Sequence, residues 1–189
     1  MTVQRRPTRR GWIMPLLALA SVAGMAGADA ASLPNRPLAE VDLHRYGGQW
    51  YEIANLPMFF QRYCVDDVTA HYTLRPDGKV DVRNACRDKS GTLKVANGVA
   101  RVAGPEQGAL KVRFAPGWLA WLPWVWADYW VVELDPQYQW AVVGSPSRKY
   151  LWILSRTPSM PKPLYDTLVQ HARERGYDTS RLVVVSPLD

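Results

Sequence analysis

The sequence predicts an all-β fold: an eight-stranded antiparallel up-and-down β-barrel with one C-terminal helix packed on its outside. Three observations predict it. Segments that read as strands recur from Gln49 to Ser155, tight-turn signals separate many of them, and the stretch Leu164 to Arg175 repeats its apolar residues at helical spacing. Parallel strands would need crossovers of about a dozen residues or more, whereas neighbours in an up-and-down barrel are joined by short loops. A chain of 189 residues has room for one such domain and little else.

Residues 1–30 read as a signal peptide. Arg5, Arg6, Arg9 and Arg10 give a basic start, an apolar run extends from Trp12 to Ala20, and small residues end at Ala28-Asp29-Ala30. A spanning anchor needs about 20 strongly apolar residues, and this run breaks up at Gly24, Gly27 and Asp29. Arg9-Arg10 also suits a twin-arginine signal, so two export routes stay open. No Cys lies near the cleavage region to carry a lipid. The expectation is an exported protein whose domain covers 31–189, located in the periplasm or outside the cell without a lipid anchor. The formal charge is +6, but without residues 1–30 there are 19 basic against 16 acidic residues, a net +3. That is too mild and too scattered for nucleic acid.

Pro34 and Pro37 lie in an arm expected to make one helical turn near Val41 to Tyr46. The first strand, Gln49 to Asn55, leaves a tight turn at Gly47-Gly48. The loop after it clusters Phe59 and Phe60, which either plug a barrel end or touch a ligand. From Val68 to Leu74 apolar residues alternate, Pro76-Asp77-Gly78-Lys79 signals a hairpin, and Val80 to Ala85 returns. Further strands are expected at Lys94–Val102, Ala109–Phe114, Tyr129–Leu134, Trp140–Val143 and Tyr150–Ser155. Leu164, Leu168 and Ala172 give the helix one apolar stripe, Gly176 ends it, and Arg181–Val185 reads as a last short strand.

Cys64 and Cys86 are the only cysteines, and an even pair in an exported chain suggests a disulfide. If Asp77-Gly78 is a two-residue loop, Cys86 faces Thr69. Cys64 is then about 16 Å away along a straight strand, too far for a bridge unless residues 64 to 67 bend back, which Asp66-Asp67 would permit. No catalytic set is found. His44, His71 and His171 have no metal-like spacing and are expected at the surface, so no metal and no cofactor are expected.

The order of elements and three short motifs resemble the lipocalins, and among them the bacterial branch similar to apolipoprotein D. The resemblance covers residues 38 to 186. Gly48-Gln49-Trp50-Tyr51-Glu52-Ile53-Ala54 matches the first family motif, Leu134-Asp135-Pro136-Gln137-Tyr138 the second, and Tyr150-Leu151-Trp152-Ile153-Leu154-Ser155-Arg156 the third. The resemblance implies that Gly48, Trp50 and Arg156 form the barrel floor, with the guanidinium over the indole. It also implies a small hydrophobic ligand, such as a fatty acid or lysophospholipid. The lipid-attachment Cys of many bacterial relatives is missing, so outer-membrane anchoring is not carried over.

If the first strand rises from that floor, the mouth holds Phe59, Phe60 and the Trp-rich stretch Pro116 to Trp126 with Trp118, Trp121 and Trp124. That stretch either packs over the barrel or forms a greasy lip that admits a lipid chain, meets a membrane surface or pairs two subunits. Alternation places Tyr72, Asn84, Phe114, Trp130 and Trp152 inside the barrel, and puts Glu52 and Ala54 on the face of Trp50. Glu52 is then a polar ligand contact or is satisfied by Asn84 or a Tyr. Two alternatives to a carrier remain: a cavity isomerase using a free Cys, and a docking module acting through the Trp-rich loop.

Overall fold

The computed structural model describes residues 1–2 and 32–189, and the fold is that of the unit Ala31–Asp189. Residues 3–31, which hold nearly all of the expected signal peptide, lie outside the described part. The order is α1 (Leu43–Tyr46), β1 (Gly48–Asn55), β2 (Asp66–Leu74), β3 (Val80–Arg87), β4 (Leu93–Val102), β5 (Ala109–Arg113), β6 (Ala127–Leu134), β7 (Trp140–Gly144), β8 (Leu151–Ser155), α2 (Lys162–Glu174) and β9 (Val183–Val184). Strands β1 to β8 pair antiparallel with their sequence neighbours, and β8 closes on β1. The short β9 adds to β1 at Ala54 and Asn55.

Local chemistry sets the entry. Asp42 caps α1, its carboxylate accepting from the backbone N–H of His44 and Arg45. Gly48 then takes φ +87°, a backbone angle that glycine supplies without strain, and starts β1. The β2–β3 hairpin departs from expectation. Leu74 pairs with Val80, so Arg75 to Lys79 form a five-residue loop closed by Arg75 N–H to Lys79 O at 2.8 Å. Asp77 holds it by accepting from Lys79 N at 3.1 Å. Thr69 therefore faces Ala85, not Cys86.

Two apolar cores share the sheet. Inside the barrel, Trp50, Tyr72, Val80, Val82, Leu110, Val131 and Leu154 pack with Tyr46 from α1. Outside, Ile53, Ala54, Val132, Val142 and Ile153 pack against Leu168 and Ala172 of α2. Glu133 fastens the helix to the wall, with His171 Nδ1 2.8 Å from Oε1 and Arg175 Nη1 2.8 Å from Oε2. His171, expected at the surface, is partly buried there and partnered by Glu133.

Register shifts on β1 and β6 reverse two facing assignments. On β1, Glu52 pairs with Leu154 but Ala54 pairs with Ile153, so Ile53 is an extra residue and both it and Ala54 turn toward α2. On β6, Val131 pairs with Val143 and Glu133 with Val142, which turns Val132 and Glu133 outward together. Counted back from inward Leu134, that slip puts Trp130 outside and Tyr129 inside. A bulge of one residue flips every side chain beyond it.

Candidate functional site: the barrel cavity and its mouth

A cavity of about 480 Å³ runs through the barrel. One side of it is aliphatic, with Val80, Val82, Ala96, Ala100, Leu110 and Val112 on β3, β4 and β5. The other carries aromatic rings: Tyr46, Tyr72, Tyr129, Trp152, Tyr150 and Phe60 all line it. Their centroids are 5.6 to 6.3 Å apart in the sequence Tyr46, Tyr72, Tyr129, Trp152, Tyr150, Phe60, so one aromatic wall extends from floor to mouth. Rings at such separations attract beyond their area burial.

Polar groups on this surface are few and mostly partnered. Tyr129 Oη lies 2.8 Å from Tyr46 Oη and 2.9 Å from Tyr72 Oη, so three buried phenols satisfy one another. Burial is the largest cause raising all three pKa values, that of Tyr72 to about 12, and the phenols stay protonated. Glu52 is 6 % exposed. It accepts from Asn55 Nδ2 and from Gln61 Nε2, the latter at 2.7 and 2.8 Å to its two oxygens. Its partners are therefore Asn55 and Gln61, not the Asn84 or Tyr expected. Burial pushes the Glu52 carboxyl up to about 7 even though these hydrogen bonds pull it down. Asn84 Oδ1 is buried on the lining with no hydrogen-bond partner.

Of the residues expected inside, Glu52, Tyr72, Asn84, Phe114 and Trp152 line the cavity, with Phe114 at its partly exposed edge. Ala54 and Trp130 do not, because the two bulges turn them into the core under α2. Tyr129, Tyr46 and Gln61 were not expected there. Tyr129 follows from the β6 bulge, while Tyr46 is carried in by α1 and Gln61 by the β1–β2 loop. No local sequence signal announces these long-range placements.

The closed end is built on Arg156. Its guanidinium carbon sits 3.8 Å from the Trp50 ring centroid. Its nitrogens donate to the carbonyls of Tyr138 (3.2 Å), Gln49 (2.7 Å) and Arg45 (2.7 Å). Trp50 is fully buried, with Nε1 donating to Tyr46 O at 2.8 Å. The Asp135–Tyr138 stretch is a capped turn, Asp135 accepting from Gln137 and Gln139 N–H.

At the other end Phe60 lines the cavity with its ring tilted against that of Tyr150, while Phe59 is 77 % exposed. The β5–β6 loop combines both expected behaviours. Leu122 is buried and Trp126 folds back, donating to Ala120 O at 2.8 Å, yet Trp118, Trp121 and Trp124 are 75 to 77 % exposed. From this loop Phe114, Ala115 and Val125, not the exposed tryptophans, reach the cavity.

Cys64 and Cys86 form a disulfide with 5.4 Å between their α-carbons. The required bend is present. The β2–β3 register shifts between Asp66 and Thr69, Asp67 takes φ +50°, and Val65 N–H bonds Arg87 O. No cysteine is free, and among the described residues no group of three His, Cys, Asp or Glu could hold a metal.

Comparison with known proteins identifies the architecture. A family model described as a lipocalin-like domain matches residues 41–187. The chain is 46% identical over 145 residues to temperature-induced lipocalin-1 of Arabidopsis thaliana, covering 75% of this chain and 77% of that protein. It is 35% identical over 178 residues to the outer membrane lipoprotein Blc of Escherichia coli, covering 92% and 96%. Among solved structures, insecticyanin of the tobacco hornworm Manduca sexta superposes with a TM-score of 0.64 over 80% of this chain and 83% of its own, at 22% identity, a likeness of fold. With the family model spanning most of the barrel domain and relatives this similar, the chain belongs to the lipocalin family.

Proposed function

We propose that this protein is a non-catalytic carrier or scavenger of lipid in the cell envelope. It holds the hydrocarbon chain of a fatty acid or lysophospholipid in the barrel and leaves the polar end at the mouth. The observation that carries this reading is the lining: aromatic and aliphatic, without Lys, Arg or His among the residues that form it. Such a surface suits an acyl chain and offers no cation to an anionic headgroup inside. The names of two relatives, outer membrane lipoprotein Blc of Escherichia coli and apolipoprotein D of Bos taurus, support an envelope setting and a lipid connection. Both thiols are in the disulfide and neither lines the cavity, so the isomerase alternative has no nucleophile while that bond is intact.

Export through residues 1–30 belongs to the same proposal, as does the lack of an acyl anchor on a cysteine, since the two cysteines of this sequence are bonded to each other. Among the described residues no helix is long and apolar enough to cross a membrane. The exposed Trp118, Trp121 and Trp124 favour loading from a bilayer surface, because each large side chain left in water forgoes about 1.5 to 3 kcal/mol of burial. Native mass spectrometry of the exported protein should find co-purifying lipid. A stripped protein that binds neither a fluorescent fatty acid nor, in a displacement assay, oleate or lysophosphatidylcholine would sink the carrier reading. Trp118→Ser with Trp121→Ser should slow lipid uptake from vesicles and leave the fold intact by circular dichroism; unchanged uptake counts against the lip.

A further inference from the structure

Around Trp126, where the Trp-rich loop rejoins the barrel, lie two cations for which the cavity has no use. Arg101 and Arg113 stand on the outward face of β4 and β5, because the neighbouring Ala100 and Val112 point into the cavity. Arg113 pairs with Val99, two residues from Arg101, so the arginines are diagonal neighbours. Both guanidinium carbons sit over the Trp126 ring, at 4.6 Å for Arg101 and 5.2 Å for Arg113.

Neither takes part in an ion pair among the described residues. Lys111, opposite Arg101 on β5, is neutralised by Asp128 at 2.8 Å. Arg113 is 9 % exposed, its Nε is buried without a partner, and its Nη1 donates to Ala115 O. Two like charges held side by side repel, and an indole face alone does not neutralise them. A planar guanidinium fork fits a phosphate, and two of them flanking a tryptophan frame a site for one.

We propose that the notch of Arg101, Arg113 and Trp126 seats the phosphate of an anionic phospholipid when the Trp-rich loop meets a bilayer, which gives the protein a preference for negatively charged membranes. The inference rests on the docking reading above. Trp126 is the last residue of the loop whose three other tryptophans project, and Ala115, whose carbonyl Arg113 holds, lines the cavity. Wall, loop and mouth therefore meet at the notch. Tryptophan at the interface with arginine at headgroup level is the arrangement that anionic membranes favour.

The test is co-sedimentation of the full exported protein with vesicles of phosphatidylcholine alone and of phosphatidylcholine mixed with phosphatidylglycerol. Wild type should bind the mixed vesicles more tightly. Arg101→Gln should weaken that binding about fivefold and leave binding to phosphatidylcholine unchanged. Lys162→Gln, exposed at the start of α2 and away from β4 and β5, should change neither. Arg113→Gln should act in the same sense as Arg101→Gln; if this buried substitution fails to fold, the exposed Arg101 decides alone. Equal binding of wild type to both vesicles overturns the notch, as does a charge preference that survives Arg101→Gln. Wild type that sediments with neither vesicle overturns the docking reading and the notch with it. Loss of binding to both vesicles in a Trp118, Trp121 and Trp124 to Ser variant, with the charge preference intact in Arg101→Gln, overturns the notch only.

Discussion

Glu52 ties one side chain to a pH dependence of the whole domain. Burial raises its folded pKa from 4.5 to about 7, against the pull of the Asn55 and Gln61 amides. The native state therefore holds a proton between these values that the unfolded chain has released. Stability is highest below the unfolded pKa and falls as pH rises toward the folded one, by about 3 kcal/mol for the full shift. Urea denaturation of wild type at pH 5 and pH 8 should show the acidic sample to be more stable, and Glu52→Gln should flatten that difference. A wild-type slope that survives the substitution would place its origin elsewhere. Arg156 is a second case. Its three carbonyl bonds and its place over Trp50 require a planar fork, so Arg156→Lys keeps the charge but loses most of the geometry. The expected loss is about 2 to 3 kcal/mol, read as a lower urea midpoint with an unchanged m-value.

Leu168 lies at the centre of the interface between α2 and the barrel and is 1 % exposed. Leu168→Ala should cost about 2 to 5 kcal/mol by opening a cavity there while leaving lipid affinity unchanged, since the residue is outside the lining. A matching loss of affinity would mean that the outer core sets the width of the inner one. That helix, the strands and the mouth loop were legible in the sequence because each carries its own period: four-residue recurrence at Leu164, Leu168 and Ala172, two-residue alternation at Val68 to Leu74, Val80 and Val82. The facing of Ala54 and Trp130 was not legible. A bulge inserts one residue without changing composition, and on both β1 and β6 it doubles the outward residues beneath α2, Ile53 with Ala54 and Val132 with Glu133. The reason for each bulge lies in a helix far along the chain, so no local pattern could show it. The hairpin at Arg75–Lys79 likewise needed the Asp77 side chain to lengthen the loop, and with it the partner of Thr69 changed.

At the scale of the molecule one sheet is shared by two cores, and the inner one has space for a guest. Arg156 closes one end, the Cys64–Cys86 bridge ties the β1–β2 loop to β3 at the other, and the cavity lies between. Reduction of the bridge, or Cys64→Ser with Cys86→Ser, releases a loop with a sequence separation of 22 and should destabilise the domain by about 3 kcal/mol on the chain-entropy model. A ligand acts in the opposite sense and through a different state. It binds the closed barrel and not the unfolded chain, so lysophospholipid at a hundredfold excess over its Kd should add about 2.7 kcal/mol, which for a domain of this size raises Tm by about 5 to 10 °C. The two effects touch different parts of the cycle, one the entropy of the unfolded chain and the other the occupancy of the folded one. The ligand-induced rise should therefore persist in the doubly substituted protein from a lower starting Tm. Melting curves recorded against lysophospholipid below its micelle concentration check this. A Tm that does not move with ligand concentration in wild type would mean the aromatic wall is packing alone, whereas a rise seen in wild type and absent after the Cys substitutions would make the bridge part of the binding site.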